Sequence, residues 1–506
     1  MNYPQNGSKA YLFSIVLVAV LGGLLFGYDT AVISGAEKGL QAFFLGAKDF
    51  VYTDTIHGIT SSSALLGCII GSALSGLFAS RFGRKKSLAI AGVFFFLSAL
   101  GSYAPEFLFF EQGVPTASLL VAFNIYRILG GVGVGLASAI CPMYIAEVAP
   151  SNMRGTLVSW NQFAIIFGQL VVYFVNFLIL GSHTQPAIEK IAEGIWQVSA
   201  DSDPWTIATG WRYMFGSEAF VAGLFTILVC LVPESPRYLA LIGKDEKALS
   251  VLSHINGYEK AREILAAIKS TVDVKSEKLF SFGVMVIFVG VMLSVFQQAV
   301  GINAVLYYAP RIFESMHMGN PMVQTVIMGI VNISFTLVAV FTVEKLGRKP
   351  LLIWGSIGMA VGAFGVAVSN VVACPPIMPV VSIMVYSASF MFSWGPICWV
   401  LIAEIFPNTI RSQAVAIAVA FQWIFNFIVS STFVPMYNMS LGEMGDSFGH
   451  MFAYALYGVI CVIAAWFVAK LVPETKGKSL EDMTNLWRKR DGKGPAPADR
   501  PVGETA

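Results

Sequence analysis

The sequence has few charged residues and lacks the patterns that soluble enzymes need. Only 12% of its 506 residues are charged, whereas soluble domains carry about 25%. The six cysteines are scattered singly, without CxxC spacing, and we interpret them as small apolar side chains. No P-loop and no nucleophile–base pattern is present. These absences exclude a cytosolic enzyme, a secreted disulfide scaffold and a disordered chain, so the protein is not expected to be an enzyme.

Metal ligands and nucleic-acid-binding surfaces are missing as well. The formal net charge is +2, and nucleic-acid binders are usually far more basic. The histidines fall in expected loops and have no metal-ligand spacing; they are His57, His183, His254, His317 and His450. We therefore expect no cofactor, no metal and no nucleic-acid partner.

Long apolar runs are what the sequence has in abundance. Hydrophobic residues make up 56% of the chain, and runs such as Tyr11–Ile33 and Ala414–Phe433 are continuous rather than alternating. A run of roughly 18 apolar residues indicates a membrane-spanning helix, and continuity argues against a barrel. The pattern predicts an all-α membrane protein with twelve transmembrane helices, near residues 12–34, 58–80, 88–104, 118–142, 156–181, 212–232, 281–304, 322–343, 351–372, 379–403, 413–435 and 449–471.

Lysine and arginine are distributed unevenly between the two sets of loops. Of the 32 basic residues, 26 lie in the segments that share a side with both termini. Five others, Lys38, Lys48, Lys190, Arg212 and Arg311, lie in the other set, and Arg127 lies inside a span. Because basic loops stay in the cytoplasm, we expect both termini to be cytoplasmic.

Three short motifs occur twice, in the same order, after the second, fourth and sixth span of each set of six. Corresponding residues are 264, 257 and 240 positions apart. The pairs are Arg81–Lys86 with Glu344–Lys349, Glu147–Arg154 with Glu404–Arg411, and Pro233–Arg237 with Pro473–Gly477. Such a repeat predicts two parallel six-helix halves.

The chain divides accordingly into four parts. We predict an N-terminal half over residues 1–234, a linker with short amphipathic cytoplasmic helices over 235–280, a C-terminal half over 281–473 and a cytoplasmic tail over 474–506. The end of the tail, rich in proline, glycine and alanine, is expected to be disordered.

The repeated charges suggest a gate at the cytoplasmic ends of the spans. Glutamate and arginine seven residues apart can pair with the Gly-Arg motif of a neighbouring loop, holding the halves together in one state and releasing them in another. The candidate gate residues are Arg84, Glu147, Arg154, Arg348, Glu404 and Arg411. The alternative is that these charges only anchor the topology.

A small set of polar residues lies inside the spans, where each needs a partner or a water-lined cavity. Amides predominate, with spacings such as Gln162 to Gln169 and Gln422 to Asn426 that place them on shared helix faces. An amide both donates and accepts hydrogen bonds, and an aromatic face can cover a sugar ring. The set suits a neutral sugar better than an anion or an organic cation, although isolated amides can also simply join helices.

Three charged residues inside the spans indicate proton movement. Asp29 lies well inside the first span, Arg127 in the fourth and Glu218 in the sixth. Paired with Arg127, Asp29 stays ionised; released in a low-dielectric cavity, it takes up a proton. The alternative is a static buried ion pair that fastens helices together.

Five stretches carry a resemblance that covers the chain from about Tyr11 to Trp487. They are Gly22–Thr30, Asn161–Gln169, Phe296–Asn303, Leu306–Pro310 and Ser393–Trp399. With the repeats, these stretches identify the chain as resembling the sugar porter family of the major facilitator superfamily. The resemblance implies the major facilitator fold, alternating access around a central site and a monosaccharide substrate.

The resemblance also implies which residues touch the sugar. Primary contacts are implied for Gln162, Gln297, Gln298, Asn303, Trp399 and Gln422. Secondary contacts are implied for Phe26, Gln169, Tyr307, Asn332, Gly395 and Trp423. The primary positions follow the xylose-type pattern, although Ala299 is smaller than the aromatic residue expected after the paired glutamines.

Proton-coupled members of this family carry an acid at the position of Asp29, and facilitative glucose carriers carry an amide. The resemblance therefore implies a monomeric sugar–proton symporter of the bacterial inner membrane, with D-xylose as the expected sugar, Asp29 as proton carrier, Arg127 as modulator and Glu218 as relay. A uniporter for pentose or hexose and a sugar sensor that does not transport remain as alternatives. Glucose, galactose and arabinose remain open as substrates, because one hydroxymethyl group changes binding by only about 1–3 kcal/mol.

Overall fold

Helices account for nearly all regular structure in the computed structural model, which describes residues 4–490 except 108, 151–152, 193–194, 272–278, 317, 408–409, 442–443 and 477–479. The first half contains α1 (Lys9–Ala31), α2 (Ile33–Leu45), α3 (Asp54–Ser61), α4 (Ser63–Phe82), α5 (Arg84–Tyr103), α6 (Ala117–Val148), α7 (Arg154–Leu180), a short π-helix (Thr206–Gly210), α8 (Trp211–Gly216) and α9 (Glu218–Leu231). The second half contains α13 (Val284–Ala299), α14 (Ile302–Tyr307), α15 (Ala309–Ser315), α16 (Pro321–Leu346), α17 (Arg348–Ser369), α18 (Ile377–Phe392), α19 (Trp394–Ile405), α20 (Arg411–Tyr437) and α21 (Ser447–Leu471).

Within the described residues, twelve helical segments are long and apolar enough to cross a membrane, as the sequence predicts. Some of them join two helices across a short break, such as that between α1 and α2 at Val32. The first segment consequently runs to Leu45 and the second begins at Asp54. His57 therefore lies in α3, His450 lies in α21 and His254 lies in the helix Asp245–Asn256, so the prediction of these three as loop residues is wrong, because these helices extend beyond the apolar runs or lie outside them. His183 lies in a loop, and His317 lies outside the described residues.

The two ends of the bundle carry different additional elements. One end, which we call the terminal face, carries α10 (Pro236–Leu241), α11 (Asp245–Asn256), α12 (Tyr258–Thr271) and α22 (Leu480–Arg490). The N-terminus docks here, with the Ser8 amide donating to His254 O at 2.8 Å, and the Trp487 indole donates to Ile405 O at 2.8 Å. The division of the chain at residues 234, 280 and 473 stays a prediction, and residues 491–506, expected to be disordered, lie outside the described part.

The other end, which we call the opposite face, carries a small hairpin that the sequence did not predict. Strands β1 (Ile188–Ala192) and β2 (Ile195–Val198) pair antiparallel, with Ile188 opposite Val198. The hairpin lies between α7 and the π-helix, and it is the one departure from an all-α chain within the described ranges.

Equivalent glycine turns connect α4 to α5 and α16 to α17. Gly83 has φ +84° and Gly347 has φ +90°, a backbone conformation that side-chain-bearing residues rarely adopt. The glycines of the repeated Gly-Arg-Lys motifs therefore make the two sharp turns that bring Arg84 and Arg348 to the first position of their helices.

Close helix contacts fix the frame around the centre of the bundle. A Cβ atom on Gly27 of α1 would collide with Ile165 O of α7, and one on Gly131 of α6 with Ala64 O of α4. The glycine-rich stretch Gly130–Gly135 is thus a close helix contact and not a nucleotide-binding loop. The halves meet where α16 packs on α7 and α20 packs on α3 and α4.

Candidate functional site

A cavity lies between the halves near the middle of the bundle, lined by α1, α7, α13, α14, α18, α19 and α20. Its volume of about 70 Å³ is room for a few water molecules, so a larger molecule requires the halves to separate. The lining consists of Phe26, Thr30, Gln162, Ile165, Ile166, Gln169, Gln297, Gln298, Asn303, Leu306, Tyr307, Phe390, Met391, Gly395, Trp399, Gln422, Trp423 and Asn426. None of these side chains carries a charge.

Amides on the C-terminal side of the cavity form a continuous hydrogen-bond chain. Asn303 Nδ2 donates to Gln298 Oε1 at 2.6 Å, and Gln298 Nε2 donates to Gln297 Oε1 at 3.4 Å. Gln422 Nε2 donates to the same Gln297 oxygen, while Gln297 Nε2 donates to Trp394 O at 3.1 Å. The chain holds the amides in place and makes Gln297 its centre.

Polar atoms on the lining remain without a hydrogen-bond partner in the part of the chain that the structure describes. They are Gln169 Oε1, Gln422 Oε1 and Trp423 Nε1, all buried. Two acceptors and one donor around an uncharged cavity suit a ligand that both donates and accepts, as a sugar hydroxyl does.

Aromatic side chains from both halves close the cavity. The rings of Phe26 on α1 and Trp423 on α20 lie 5.6 Å apart with an interplanar angle of 48°. Asn426 Nδ2 donates to the Tyr307 hydroxyl at 3.5 Å, and Asn426 Oδ1 accepts from Ser430 Oγ at 3.1 Å. These contacts place flat apolar surface beside the amides, which is the combination that a sugar ring needs.

The structure brings nearly all of the predicted sugar-contact residues to this cavity. All six primary residues and five of the six secondary ones line it. Asn332 does not: it is buried between α16 and α18, where its Oδ1 accepts from Ser387 Oγ at 2.7 Å.

Sequence reasoning did not assign several lining residues. Asn426 had a signal, since it is polar, lies inside a span and follows Gln422 by one helical turn. Thr30 follows Phe26 by the same spacing. The apolar members, Phe390 and Met391 among them, look like any other residue of an apolar run, so no local pattern could have identified them.

A buried ion pair involves α1 beside the cavity. Arg127 Nη1 donates to Asp29 Oδ1 at 2.7 Å, and Arg127 Nη2 donates to Asp29 O at 3.1 Å. Asp29 is 0% exposed and Arg127 3%. The guanidinium also packs over the Phe215 ring at 4.9 Å, so a single cation lies in an apolar pocket with a carboxylate.

Glu218 brings a second carboxylate to this pair. It is 0% exposed, at the first position of α9, and interacts with Asp29. Among the described residues, neither Glu218 oxygen nor Asp29 Oδ2 receives a hydrogen bond. A proton on one carboxyl group would supply the missing donor and balance two carboxylates against one guanidinium.

Helix α1 contributes residues both to the cavity and to the ion pair. Phe26 and Thr30 line the cavity, and Asp29 of the same helix turn contacts Arg127. Asn161 and Ile165 of α7 pack tightly on α1 at Gly23 and Gly27. A displacement of α1 at the cavity is therefore also a displacement of the Asp29 carboxylate.

At the terminal face, the predicted gate residues of the first half pair within that half. Arg84 Nη2 donates to Glu147 Oε1 at 2.6 Å, and Ser235 Oγ donates to Glu147 Oε2 at 2.5 Å. Glu234 accepts from the Arg84 and Lys85 amides at 2.9 and 3.1 Å, which caps α5. Arg154 is exposed at the start of α7.

The second half repeats this arrangement. Arg348 Nη2 donates to Glu404 Oε1 at 3.1 Å, and Thr475 Oγ1 donates to Glu404 Oε2 at 2.6 Å. Arg411 donates to Phe406 O at 3.0 Å, within its own loop. The gate residues therefore make no bridge between the halves among the contacts described here, unlike the cross-half contact expected for the closed gate.

Glu474 is the counterpart of Glu234, a role that sequence reasoning missed although the repeated Pro-Glu pairs were visible. Burial raises the pKa of the Glu474 carboxyl, but hydrogen bonds from backbone N–H groups outweigh it and hold the pKa below its usual value. The donors are the amides of Lys476, Lys349, Arg348 and Thr475.

At the opposite face, ion pairs connect the two halves. Arg311 of α15 holds Glu37 of α2 through Nε at 3.0 Å and Nη2 at 2.6 Å. Lys38 pairs with Glu314, and Lys190 of the hairpin pairs with Asp446 at 3.0 Å. The halves are joined by charge at this face only, within the described residues.

Comparison with known proteins gives extensive matches. The family model described as "Sugar (and other) transporter" matches residues 15–487. The D-xylose-proton symporter of Escherichia coli (strain K12) is 48% identical over 500 residues, covering 96% of this chain and 97% of that one. Among solved structures, the inward open conformation of the xylose transporter XylE from E. coli matches with a TM-score of 0.81 at 47% identity, covering 94% of this chain and 100% of that one. The proton:xylose symporter XylE bound to 6-bromo-6-deoxy-D-glucose matches with a TM-score of 0.77 at 47% identity, covering 95% of this chain and 99% of that one.

Proposed function

The chain belongs to the sugar porter family of the major facilitator superfamily, and we propose from this membership that it imports D-xylose together with a proton by alternating access. It is a multi-pass membrane transporter and not an enzyme. The observation that carries the proposal is an uncharged, amide-lined cavity that shares helix α1 with the buried Asp29–Arg127 ion pair. The 48% identity to a D-xylose-proton symporter supports the choice of sugar.

The sugar binds between the halves in this proposal. Gln162 and Gln169 on α7 contribute from the N-terminal half, and the amide chain centred on Gln297 contributes from the other half. The free atoms Gln169 Oε1 and Trp423 Nε1 bond sugar hydroxyls, and the Phe26–Trp423 pair covers the ring. Because the lining amides already bond one another, the sugar exchanges those bonds for its own, which draws the halves around it.

Asp29 carries the proton. With Arg127 bound to it, the carboxylate is ionised; when sugar binding shifts α1, the pair loosens and Asp29 takes a proton in its apolar surroundings. Glu218 relays the proton, since its carboxyl lies beside Asp29. Sugar binding and protonation are coupled through the movement of a single helix, because Phe26, Thr30 and Asp29 all belong to α1.

Orientation follows from the basic residues of the terminal face, which is cytoplasmic in this proposal, with both termini inside. The arrangement described above is then inward-facing, since cross-half ion pairs close the opposite, periplasmic face. In the outward-facing state, the terminal-face residues Arg84, Glu147, Arg154, Arg348, Glu404 and Arg411 form the closed gate. The protein functions as a monomer in the lipid bilayer of a bacterial inner membrane.

The experiment that tests this function adds sugars to a weakly buffered, de-energised suspension of cells that express the protein, while external pH is recorded. D-xylose, D-glucose, D-galactose and L-arabinose are added in turn. Alkalinisation with D-xylose alone is the expected result. Alkalinisation with another sugar would support proton symport and contradict D-xylose as the substrate. Entry of labelled xylose without a pH change would make the protein a uniporter. No pH change and no entry of any sugar supports the sensor alternative.

A further inference from the structure

The opposite face contains a buried polar cluster that neither sugar binding nor proton coupling uses. Glu37 on α2 is 1% exposed and accepts from Arg311 twice. The Arg311 guanidinium also donates to Gln41 Oε1. His57 on α3, 0% exposed, bonds Glu37 Oε2 through Nε2 at 2.9 Å. One carboxylate thus has two partners, of which Arg311 belongs to the C-terminal half and His57 to the N-terminal half.

The neighbours of His57 determine which ring nitrogen carries the proton. His57 Nδ1 lies 3.2 Å from the Tyr52 hydroxyl, whose only proton can be donated to that nitrogen. Nε2 then carries the hydrogen and donates it to Glu37. The remaining charged groups that act on the ring are Arg311 and Asp54, and the Tyr308 ring packs on it at 6.4 Å. Neutral His57 is fully bonded in this arrangement.

We propose that Glu37 and Arg311 form a latch that closes the opposite face, and that His57 is the partner that Glu37 keeps when the latch opens. The inference rests on the proposed function in one respect, that the two halves rock apart at this face during transport. A buried carboxylate that lost every partner would make opening too costly. His57 moves with Glu37, so the carboxylate changes from two partners to one, and not from one to none.

The other ion pairs that join the two halves at this face are too exposed to serve as the latch. Glu314, the partner of Lys38, is 45% exposed, and Asp446, the partner of Lys190, is 54% exposed. Ion pairs open to water contribute little. Asn438 Nδ2 also bonds Asp54 across the halves at 3.1 Å, but this bond lacks the charge and the burial of the Glu37 site. The latch is therefore a single buried pair surrounded by weaker contacts.

The roles proposed for Glu37 and His57 predict opposite shifts of the equilibrium between the open and closed states of this face. Glu37→Gln removes the charge that attracts Arg311 and shifts the protein towards the state that is open at this face. His57→Leu leaves the closed state with its Arg311 pair but deprives the open state of its only partner, and therefore shifts the protein towards the closed state. His57→Gln retains a side-chain donor and restores the wild-type balance. A cluster that merely stabilised the fold would respond to both removals in the same direction.

The test measures the distance between two spin labels across this face in the purified, full-length protein. Val114→Cys and Val323→Cys place labels on the two halves at exposed positions, with the accessible Cys230 and Cys374 replaced by serine. We expect Glu37→Gln to raise the long-distance population at least threefold and His57→Leu to lower it at least threefold. Asp446→Asn, which removes an exposed pair at the same face, should change it less than 1.5-fold.

Arg311→Gln removes the same pair from the other half and replaces Glu37→Gln if that variant does not fold. An unchanged distribution in folded protein, an equal effect of Asp446→Asn, or a shift in the same direction for Glu37→Gln and His57→Leu overturns the latch. Binding of D-xylose is followed separately by tryptophan fluorescence. Wild-type protein that binds no sugar but shows the opposite shifts would contradict the proposed function and leave the latch intact.

Discussion

The two halves are alike at the terminal face and different at the centre of the membrane. Arg84–Glu147 with Ser235 and Arg348–Glu404 with Thr475 are the same arrangement built twice. In the centre, the N-terminal half holds the charged residues, whereas the C-terminal half supplies four of the five primary sugar-contact amides proposed above. The two halves therefore repeat the terminal-face ion pairs but contribute different kinds of polar residue to the centre.

In the proposed function, proton coupling therefore resides in the N-terminal half, whereas most of the primary sugar-contact amides belong to the C-terminal half. The charged residues Asp29, Arg127 and Glu218 all belong to the first half, and the hydrogen-bond chain through Gln297 belongs to the second. Substitutions in the two halves should therefore produce different kinds of defect. The following predictions test that separation, beginning with the one that should change transport most.

Asp29→Asn should abolish uphill sugar accumulation, so that the internal-to-external sugar ratio falls to one. An amide cannot carry a proton at this position, but it can occupy the same space beside Arg127. Sugar exchange across the membrane should persist within about threefold, because the cavity is intact. Labelled-sugar uptake with and without a proton gradient measures both. Glu106→Gln, which removes another carboxylate of this half, paired with Arg212 on the opposite face, should retain accumulation; continued accumulation by Asp29→Asn would contradict the assignment.

Gln297→Ala should weaken sugar binding about tenfold to a hundredfold, since lost hydrogen bonds in a buried site cost about 1–3 kcal/mol. The proton-to-sugar ratio should not change, because the variant leaves the carboxylates untouched. Calorimetric titration and reconstituted flux measure the two quantities. The matched control is Asn332→Ala, a buried amide of the same half outside the cavity, which should affect affinity less than threefold. An equal loss for both variants would place recognition outside this cavity.

The repeated ion pairs allow the two halves to be compared directly for stability. The Glu147 side chain is 9% exposed and that of Glu404 is 31% exposed, so water reaches the second pair more readily. We expect Glu147→Gln to cost about 3 kcal/mol, as broken buried pairs do, and Glu404→Gln about 1 kcal/mol. Thermal unfolding in detergent should show the larger fall in Tm for Glu147→Gln. The reverse order would mean that exposure does not govern the difference.

The smallest effect should come from acid at the start of α17. The pKa of Glu474 is held below its usual value in the folded state, so its stabilising contribution is present above the unfolded-state pKa and is lost as pH falls through the folded-state pKa. The rate of amide hydrogen exchange at the first turn of α17 should therefore rise in acid, at pH values below the pKa of an ordinary glutamate. Glu474→Gln should remove this pH dependence; an unchanged profile in that variant would assign it to another group.

Much of the fold and the central site could be predicted because both rest on local patterns. Apolar run length gives the twelve spans, repeated motifs give the two halves, and amides inside spans are conspicuous. Asp29 and Arg127 are the clearest case: neither can remain alone in a dry environment, so each predicts the other. The resemblance then extended the cavity assignment to residues such as Phe26 and Gly395 that composition alone does not single out.

Other features depend on long-range geometry that no local pattern encodes. Glu37 and Arg311 are separated by 274 positions and show no repeat, so no local pattern predicts that they pair. Asn332 looks like a cavity amide in the sequence, but the rotation of α16 directs it to Ser387. The terminal-face pairs were expected to bridge the halves, yet each closes on its own half, since a charge motif does not specify the conformation in which it pairs.

Helix α1 has a consequence for anyone who wishes to redesign this transporter. Its cavity residues, Phe26 and Thr30, and its carboxylate, Asp29, share a rigid segment pressed against α7 at Gly27. Libraries that vary this helix to broaden the range of accepted sugars are therefore expected to disturb the proposed proton site as well, and so to lose sugar accumulation. Variation confined to α13, α18 and α20 is expected to change the sugar specificity and to leave proton coupling intact.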